Sequence, residues 1–271
     1  MLDRFLSPQR KWRNVMIGLI GRIAALTIFV VAQIALAEAA ALNVYSAIAT
    51  RGALEELVPQ FQKQTGQTLA ITWGTAAMLT KRIAAGEPAD VAILTRANID
   101  SLKKDGKIEP DTDITLAQSS IAVAIKSGAP KPDISTPEKL KETLLKATAI
   151  AYSNPASGGA SGVYFAALLE RMGIADQMKA KTKFPPAGEN SANLVVSGEA
   201  ELAIQQKPEL MNAAGVDIAG LLPGDLNEVT AFGAGITAGC KDVDAATALL
   251  KFLKSPEAAE VFKASGFEPD Q

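Results

Sequence analysis

A chain of 271 residues, 48% of them hydrophobic and 21% charged, is long enough to bury a core without disulfides or a structural metal. It has no histidine and one cysteine, Cys240, which excludes imidazole-based catalysis, internal disulfides and the common zinc sites. The formal charge of −2 argues against nucleic acid as a partner, because affinity for phosphate backbones depends on clustered Lys and Arg.

Residues 1–37 are predicted to be a cleavable signal peptide. A basic region containing Arg10, Lys11 and Arg13 precedes the apolar run 23–36, which has the length of a secretion signal and is short for a membrane span. An uncleaved membrane anchor is the alternative. The segment holds five basic residues and one acid, so its removal lowers the formal charge from −2 to −6. We therefore expect an exported, periplasmic protein.

Residues 42–94 contain two consecutive strand–turn–helix units and a third strand. Residues 42–46 and 69–73 have the pattern of strands, and small turn residues follow each strand at 47–52 and 74–77. Apolar residues then recur at helical spacing. The third strand, at 91–94, is apolar enough to be buried on both faces.

The two turns predict an anion-binding crevice. The first N–H groups of a helix have no internal partner and carry the positive end of its dipole. Ala, Thr and Gly at 49–52 and 75–77 would let an anion approach this backbone at the carboxyl ends of neighbouring strands. The alternative is a plain α/β half-domain whose small residues only permit close packing.

The second half repeats this arrangement around a glycine- and serine-rich loop. Residues 149–152 are predicted as a strand, 153–162 as the loop, and 163–173 as a helix. The loop lacks the Gly-Lys-Ser/Thr of a Walker motif, and no histidine exists to activate Ser161 as a nucleophile. A flexible linker is the alternative to an anion-binding loop.

Other segments complete an alternating α/β pattern. Gln205 and Gln206 stand at the carboxyl end of a late strand, where amides can donate and accept hydrogen bonds without bringing charge. The remaining predictions are helices at 99–104, 136–145, 190–196, 245–254 and 256–266, strands at 120–125 and 199–204, a loop at 108–114, and extended segments at 218–222, 228–232 and 235–238.

Three segments resemble the bacterial periplasmic solute-binding proteins of the molybdate-binding type. They are VYSAIATRGALEELVPQFQKQTG at 44–66, GEPADVAIL at 86–94 and LLKFLKSPEAAEVFKASGF at 249–267. The resemblance covers essentially all of residues 42–271. It implies an α/β protein with the two-lobe periplasmic-binding-protein fold of type II, in which each lobe is a mixed sheet flanked by helices and two strands cross between the lobes.

The resemblance also implies boundaries, partners and a role. Lobe 1 would comprise 42–119 plus 231–271, and lobe 2 would comprise 120–230. A small anion would be held between helix starts of both lobes, and the closed form would engage an ABC permease in the inner membrane. A monomer is expected, with no cofactor, no metal and no enzymatic activity.

Carried over residue by residue, the resemblance changes three side chains. Ala49 and Ala76 stand where the family has serines, and Gln206 stands where it has a tyrosine. Ser161 and Ser191 correspond to backbone donors of the second lobe. The expected ligand-binding residues are Ala49, Arg51, Thr75, Ala76, Ala77, Ser161, Ser191 and Gln206, among which Thr75, Ser161 and Gln206 could replace the lost hydroxyl donors.

The identity of the anion stays open at this point. Each hydrogen bond lost to a dianion costs about 1.5–3 kcal/mol, so three uncompensated losses would weaken molybdate binding by several powers of ten. The alternative ligand is a small di- or tricarboxylate, with Arg51 pairing one carboxylate as a bidentate partner.

Two further classes of function remain as weaker alternatives. A periplasmic ligand sensor would need the same cleft. An enzyme could use Ser161, or the acids Glu189 and Glu199, but the sequence has neither a histidine nor a recognisable catalytic motif.

Overall fold

The computed structural model describes residues 41–186 and 188–268, which belong to one compact unit. The predicted signal peptide lies outside the described residues. Within the described ranges, no helix combines the length and apolar character that crossing a bilayer requires.

The first of two five-stranded sheets has the strand order β2-β1-β3-β10-β4. Its strands are β1 (Leu42–Ala47), β2 (Leu69–Gly74), β3 (Val91–Thr95), β4 (Ile114–Ser119) and β10 (Thr230–Ile236). β1 runs parallel to β2 and β3, whereas β10 runs antiparallel to β3 and β4. All five residues of β3 are buried, as its continuous apolar sequence predicts for a central strand.

The second sheet has the order β7-β6-β8-β5-β9 and repeats this mixed arrangement. Its strands are β5 (Ile121–Lys126), β6 (Ile150–Tyr152), β7 (Thr182–Lys183), β8 (Leu202–Gln206) and β9 (Val216–Leu221). β6 runs parallel to β7 and β8, and β5 runs antiparallel to β8 and β9.

The chain crosses twice between the two sheets. The first crossing is Ser120, between β4 and β5, and the second is the segment 222–229, between β9 and β10. The crossings lie side by side, because Ser119 pairs with Thr230 and the Ile121 N–H donates to Asn227 Oδ1 at 3.0 Å. The molecule is thus a two-lobe α/β fold with mixed sheets flanked by helices, as predicted.

Helices cover the sheets and bury separate cores. They are α1 (Arg51–Thr65), α2 (Ala76–Ala84), α3 (Arg96–Lys104), α4 (Pro137–Lys146), α5 (Ala160–Arg171), α6 (Ala175–Lys179), α7 (Ala192–Val196), α8 (Lys207–Met211), α9 (Val243–Leu253) and α10 (Pro256–Ala264). Phe61 and Phe262 are fully buried on the first sheet, and Phe165 on the second. Burial of each such side chain contributes roughly 1.5–3 kcal/mol.

Several boundaries differ from the sequence predictions. The predicted loop at 108–114 overlaps the first residue of strand β4, a strand that was not predicted, and Ile108 forms an isolated bridge with Thr237. Helix α5 begins at Ala160, three residues before the predicted start, since Gly162 is accommodated inside its first turn. The short elements α6, β7 and α8 were not predicted, because pieces of two to five residues carry too little periodicity.

Gly162 permits the first turn of α5 to pack closely against the loop that follows β6. A Cβ atom placed at Gly162 would lie 2.0 Å from the Ser153 carbonyl oxygen, closer than any real contact. The glycine therefore lets the first turn of α5 pack directly against the end of the loop after β6.

We expect Gly162→Ala to destabilise the protein, because either the helix start or the Ser153 backbone must move. Such overpacking costs typically 1–3 kcal/mol, measurable as a lower urea midpoint. The matched control is Gly239→Ala, since a Cβ there would meet nothing within 4 Å. Equal midpoints for the two variants would contradict the packing described for Gly162.

Candidate functional site

A cleft of about 550 Å³, counted to its open mouth, lies where the parallel strands of both sheets end. Carboxyl ends of parallel strands are the expected ligand site of such folds. The walls come from the turns after β1 and β2, the loop after β6, and the end of β8. They comprise Ala47, Ile48, Ala49, Gly74, Thr75, Ala76, Thr95, Ser153, Asn154, Ser157, Gly159, Ala160, Ser161, Pro185, Pro186, Gly188, Glu189, Gln205, Gln206, Glu209 and Phe232.

Three chain turns bring helix starts to this cleft. A 3-10 turn at Ile48–Thr50 leads into α1, and α2 and α5 begin at Ala76 and Ala160. No side chain caps the starts of the 3-10 turn, α1 or α5, whereas Thr75 caps the start of α2. The N–H groups that no side chain uses make these starts suitable for an anion.

Buried hydroxyl groups stabilise the first turn from within. The Thr50 hydroxyl donates to the Ala47 carbonyl oxygen at 2.8 Å and lies 2.7 Å from Ser46 Oγ. Both hydroxyls are fully buried and engaged with each other, so Ala47–Ala49 presents backbone, not side-chain hydroxyls, to the cleft.

Contacts between the two sheets close one side of the cleft. The Thr75 hydroxyl donates to the Ser157 carbonyl oxygen at 2.6 Å and accepts from the Met78 N–H at 3.3 Å. Next to this bond, a Cβ placed at Gly158 would come within 2.6 Å of Ala77 Cβ. The Thr75 hydroxyl is therefore already engaged within the protein in this structure, and its role as a donor to the ligand stays a prediction.

The structure brings five of the eight predicted residues together. Ala49, Thr75, Ala76, Ser161 and Gln206 line the cleft. Ser161 lies in the first turn of α5 and is buried. The other three predicted residues, Arg51, Ala77 and Ser191, are not among the lining residues.

Arg51 is not among the residues that line the cleft. Its Nε donates to Glu55 Oε1 at 2.8 Å, and its guanidinium lies 5.6 Å from the centre of the Trp73 ring. Nearly half of its side chain is exposed. An i,i+4 ion pair and a ring contact thus engage the side chain in this structure, and its pairing with a ligand carboxylate stays a prediction.

Ser191 and Ala77 have structural roles instead. Ser191 is fully buried, and both its N–H and its hydroxyl donate to Gln205 Oε1, at 2.8 and 2.6 Å. Its backbone N–H is therefore engaged within the protein in this structure, and its contact with a ligand stays a prediction. Ala77 packs against Gly158, so its small size permits contact between the two sheets.

The end of β8 carries a buried polar cluster. Gln205 accepts from Ser191 and donates through Nε2 to the Glu209 carboxylate. The neighbouring Gln206 donates through Nε2 to Thr230 Oγ1 at 2.9 Å, while its Oε1 is buried without a partner. Gln206 is only 2% exposed and belongs to the residues that line the cleft, so its side chain leaves a buried acceptor unused close to the cleft wall.

Glu209 is the residue that sequence reasoning missed. It lies on the cleft wall in the short helix α8, and it forms no ion pair within the described ranges. Burial raises the pKa of its carboxyl to about 8, although the hydrogen bond from Gln205 opposes this shift. Pro208, two residues after the end of β8, was a signal of a helix start that would have placed Glu209 near Gln206.

The catalytic candidates considered from the sequence do not converge. Glu189 lines the cleft, but Glu199 accepts from Ser197 Oγ at 2.9 Å on an exposed turn outside it. No group of three or more His, Cys, Asp or Glu residues that could hold a metal exists among the described residues. Cys240 is partly buried and packs against the core of the first sheet.

The cleft wall contains two acids and no Lys or Arg. An anion bound here would be held by peptide N–H groups, hydroxyls and amides rather than by a cation. Since Glu209 keeps its proton near neutral pH, one of the two acids does not repel such an anion.

Comparison with known proteins agrees with this arrangement. The sequence model of a family described as "Bacterial extracellular solute-binding protein" matches residues 42–268. An aconitate isomerase of Pseudomonas sp is 37% identical over 234 residues, which are 84% of this chain and 87% of that protein. The molybdate-binding protein ModA of Escherichia coli K12 is 28% identical over 260 residues, 95% of this chain and 98% of that protein.

Solved structures show the same fold. The periplasmic molybdate-binding protein of Azotobacter vinelandii has a TM-score of 0.71 and 25% identity, covering 85% of this chain and all of that one. The sulfate-binding protein SubI of Mycobacterium tuberculosis H37Rv, with a TM-score of 0.67, 19% identity and coverage of 84% and 86%, supports the fold alone. The predicted resemblance to molybdate-type periplasmic binding proteins is confirmed.

The raised pKa of Glu209 has a consequence for stability. The folded chain keeps this proton up to about pH 8, whereas the unfolded chain releases it near the ordinary value of 4.5. Between these values the folded state holds one more proton, so this group lowers the free energy of unfolding as pH rises, by roughly 1.4 kcal/mol per pH unit.

We therefore expect Glu209→Gln to lose less stability than the unmodified protein between pH 5 and pH 8, measured as urea midpoints across that range. Glu199→Gln, at an exposed acid, serves as the control and should follow the unmodified curve. If the urea midpoints of Glu209→Gln change with pH in the same way as those of the unmodified protein, Glu209 does not have the raised pKa.

Proposed function

This chain belongs to the bacterial extracellular solute-binding protein family, and we propose that it captures a small organic anion with more than one carboxyl group. The protein would be released to the periplasm after cleavage of residues 1–37. Residues 42–119 plus 231–271 would form lobe 1 and 120–230 lobe 2. Because the chain crosses only twice, the lobes can close on the ligand as hinged bodies and present the closed form to an ABC permease.

Helix starts on the cleft wall support the binding of an anion. The described lining residues include no Lys or Arg, so the negative charge must be stabilised by N–H groups at the starts of the 3-10 turn and α5, and by those at the start of α2 that the Thr75 cap leaves unused. Ser161 lies in the first turn of α5, where its hydroxyl adds a donor beside these N–H groups.

The observation that carries the choice of an organic acid is the unpartnered Oε1 of Gln206. A buried acceptor without a partner costs about 1–3 kcal/mol, which a ligand can recover only by donating a hydrogen bond. A fully ionised tetrahedral oxyanion has only acceptors. An organic acid with a protonated carboxyl or a hydroxyl offers both kinds of group.

Two other observations favour the same class of ligand. Ala49 and Ala76 line the cleft without hydroxyls, so two of the donors that the molybdate-binding type supplies to its oxyanion have no side-chain replacement there. In addition, the 37% identical relative is named for a tricarboxylate, whereas the two molybdate-binding relatives are 28% and 27% identical. Molybdate remains the competing ligand.

A second candidate function is isomerisation of the bound acid. The observation that favours it is Glu209, a carboxyl with a pKa near neutrality on the wall of the ligand cleft. A relative named aconitate isomerase agrees with this candidate.

The first test is a thermal-shift panel on the protein purified from the periplasm. We expect stabilisation by polycarboxylates that can donate to Gln206 Oε1, namely the hydroxy acid citrate and, at a pH low enough for one carboxyl to keep its proton, trans-aconitate and tricarballylate, by about 2.7 kcal/mol at 100 times the dissociation constant. Molybdate, tungstate and sulfate are the comparison ligands. A shift with molybdate and tungstate alone would overturn the choice of an organic acid.

Side-chain replacements test the geometry of the site. We expect Gln206→Leu to weaken polycarboxylate binding about 10- to 100-fold, the equivalent of one hydrogen bond to a charged or acidic group. Arg51→Ala should change the affinity by less than twofold, since its guanidinium is held by Glu55. Isothermal titration measures the affinity of each variant. If Arg51→Ala weakens binding more than Gln206→Leu does, Arg51 belongs to the site and Gln206 does not.

A further inference from the structure

One carboxyl oxygen on the cleft wall, Glu209 Oε1, is free to contact a ligand. The other oxygen, Oε2, accepts from Gln205 Nε2, whereas Oε1 takes part in no hydrogen bond or ion pair among the described residues. Oε1 is also not among the fully enclosed atoms that lack a partner within those ranges. Because Glu209 lines the cleft, this oxygen is accessible from it.

Ser191 determines which oxygen of Glu209 is used by the protein. The N–H and the hydroxyl of Ser191 both donate to Gln205 Oε1, at 2.8 and 2.6 Å, so the Gln205 amide directs its NH₂ group to Glu209. In addition, Asn190 Nδ2 donates to the Glu209 backbone carbonyl oxygen. Oε2 is therefore fixed as an acceptor, and Oε1 is the oxygen that can hold a proton toward the cleft.

The surroundings of Glu209 do not balance a negative charge. Helix α8 packs against the 3-10 turn, α1, β5, β8 and β9. The charged residues on these elements nearest to α8, on α8 itself and in the adjacent loop are Arg51, Glu55, Lys126, Asp217, Lys207 and Glu189. None of them forms an ion pair with Glu209. An ionised Glu209 would thus repel a bound anion, whereas a protonated one would not.

Resting on the proposed function, we propose that Glu209 is a specificity-determining residue that donates a hydrogen bond from protonated Oε1 to a carboxylate of the bound acid. An O–H group that donates to a carboxylate makes a short, strong hydrogen bond. The cleft then combines this donor with the N–H groups of the helix starts and with the acceptor Gln206 Oε1. Binding of the ligand is thereby coupled to the presence of a proton on Glu209.

This coupling makes the affinity depend on pH. Burial raises the pKa of the Glu209 carboxyl to about 8, so the free protein loses this proton as pH rises through that value. Binding above pH 8 must then restore the proton from solvent. We therefore expect the affinity to fall by about tenfold per pH unit well above pH 8, and to be independent of this group well below it.

Proton uptake during isothermal titration tests the coupling directly. Protein purified from the periplasm is titrated with citrate, whose three carboxyls are ionised from pH 7.5 to pH 9, in two buffers that differ in heat of ionisation. We expect uptake of about a quarter of a proton at pH 7.5 and about three quarters at pH 8.5. The affinity should be about eightfold weaker at pH 9 than at pH 7.5.

Variants then assign the proton to Glu209. Glu209→Gln keeps a donor that does not titrate, so its affinity should stay constant from pH 7.5 to pH 9, without proton uptake, and should exceed that of the unmodified protein at pH 9. Glu209→Leu removes the donor and should bind about 10- to 100-fold more weakly than Glu209→Gln at every pH. Glu199→Gln, outside the cleft, should match the unmodified protein.

The outcomes separate the two proposals. Citrate binding without proton uptake at pH 8.5 in the unmodified protein would overturn the donor role and leave the receptor function intact. Equal uptake by Glu209→Gln would assign the proton to another group. If no polycarboxylate binds, the proposed function fails, and molybdate is titrated in the same way. Uptake with molybdate that Glu209→Gln abolishes would still support the donor role, whereas binding of molybdate without uptake would overturn it.

Discussion

The described residues of the cleft wall include no Lys or Arg, so an anion bound there would have to be stabilised without a cation. Peptide N–H groups at helix starts are the remaining source of positive potential, and they act only over the first turn. The turns after β1, β2 and β6 therefore need residues that leave the backbone accessible. Ala49, Ala76 and Ala160 meet this need, and the Thr and Ser hydroxyls around them are used to hold the turns in place.

Holding these turns requires the two sheets to meet closely on one side. The Thr75–Ser157 hydrogen bond and the contact of Ala77 with Gly158 join a turn of the first sheet to a loop of the second. Gly162 belongs to the same constraint, because α5 can begin close to Ser153 only without a Cβ. Small residues at these positions are thus explained by contact between lobes as much as by access of a ligand.

Most of the fold could be predicted from the sequence because its signals are local. The buried strand β3 shows its apolar run, and Thr136 with Pro137 marks the start of α4 by a cap and a proline. Ala49, Ala76, Ser161 and Gln206 could be placed at the cleft because they follow strands whose carboxyl ends meet.

The remaining features of the site depend on contacts between side chains that the spacing of residues in the sequence does not reveal. Arg51 stands at a helix start in the sequence, but Glu55 and Trp73 determine which way its side chain points. Ser191 is separated by 14 residues from Gln205, the amide that uses both of its donors. Glu209 was missed because its unusual protonation arises from burial and from the absence of a nearby cation, which only the folded chain reveals.

The end of β8 shows how the cleft wall can contain an acid without carrying its charge. Gln205 donates to the Glu209 carboxyl, and burial raises the pKa of that carboxyl to about 8, so it keeps its proton near neutral pH. A protonated carboxyl is a hydrogen-bond donor, and such a donor does not repel an anion held by the N–H groups of the helix starts. Burial of Glu209 and the absence of Lys and Arg from the described cleft wall are therefore compatible parts of one arrangement.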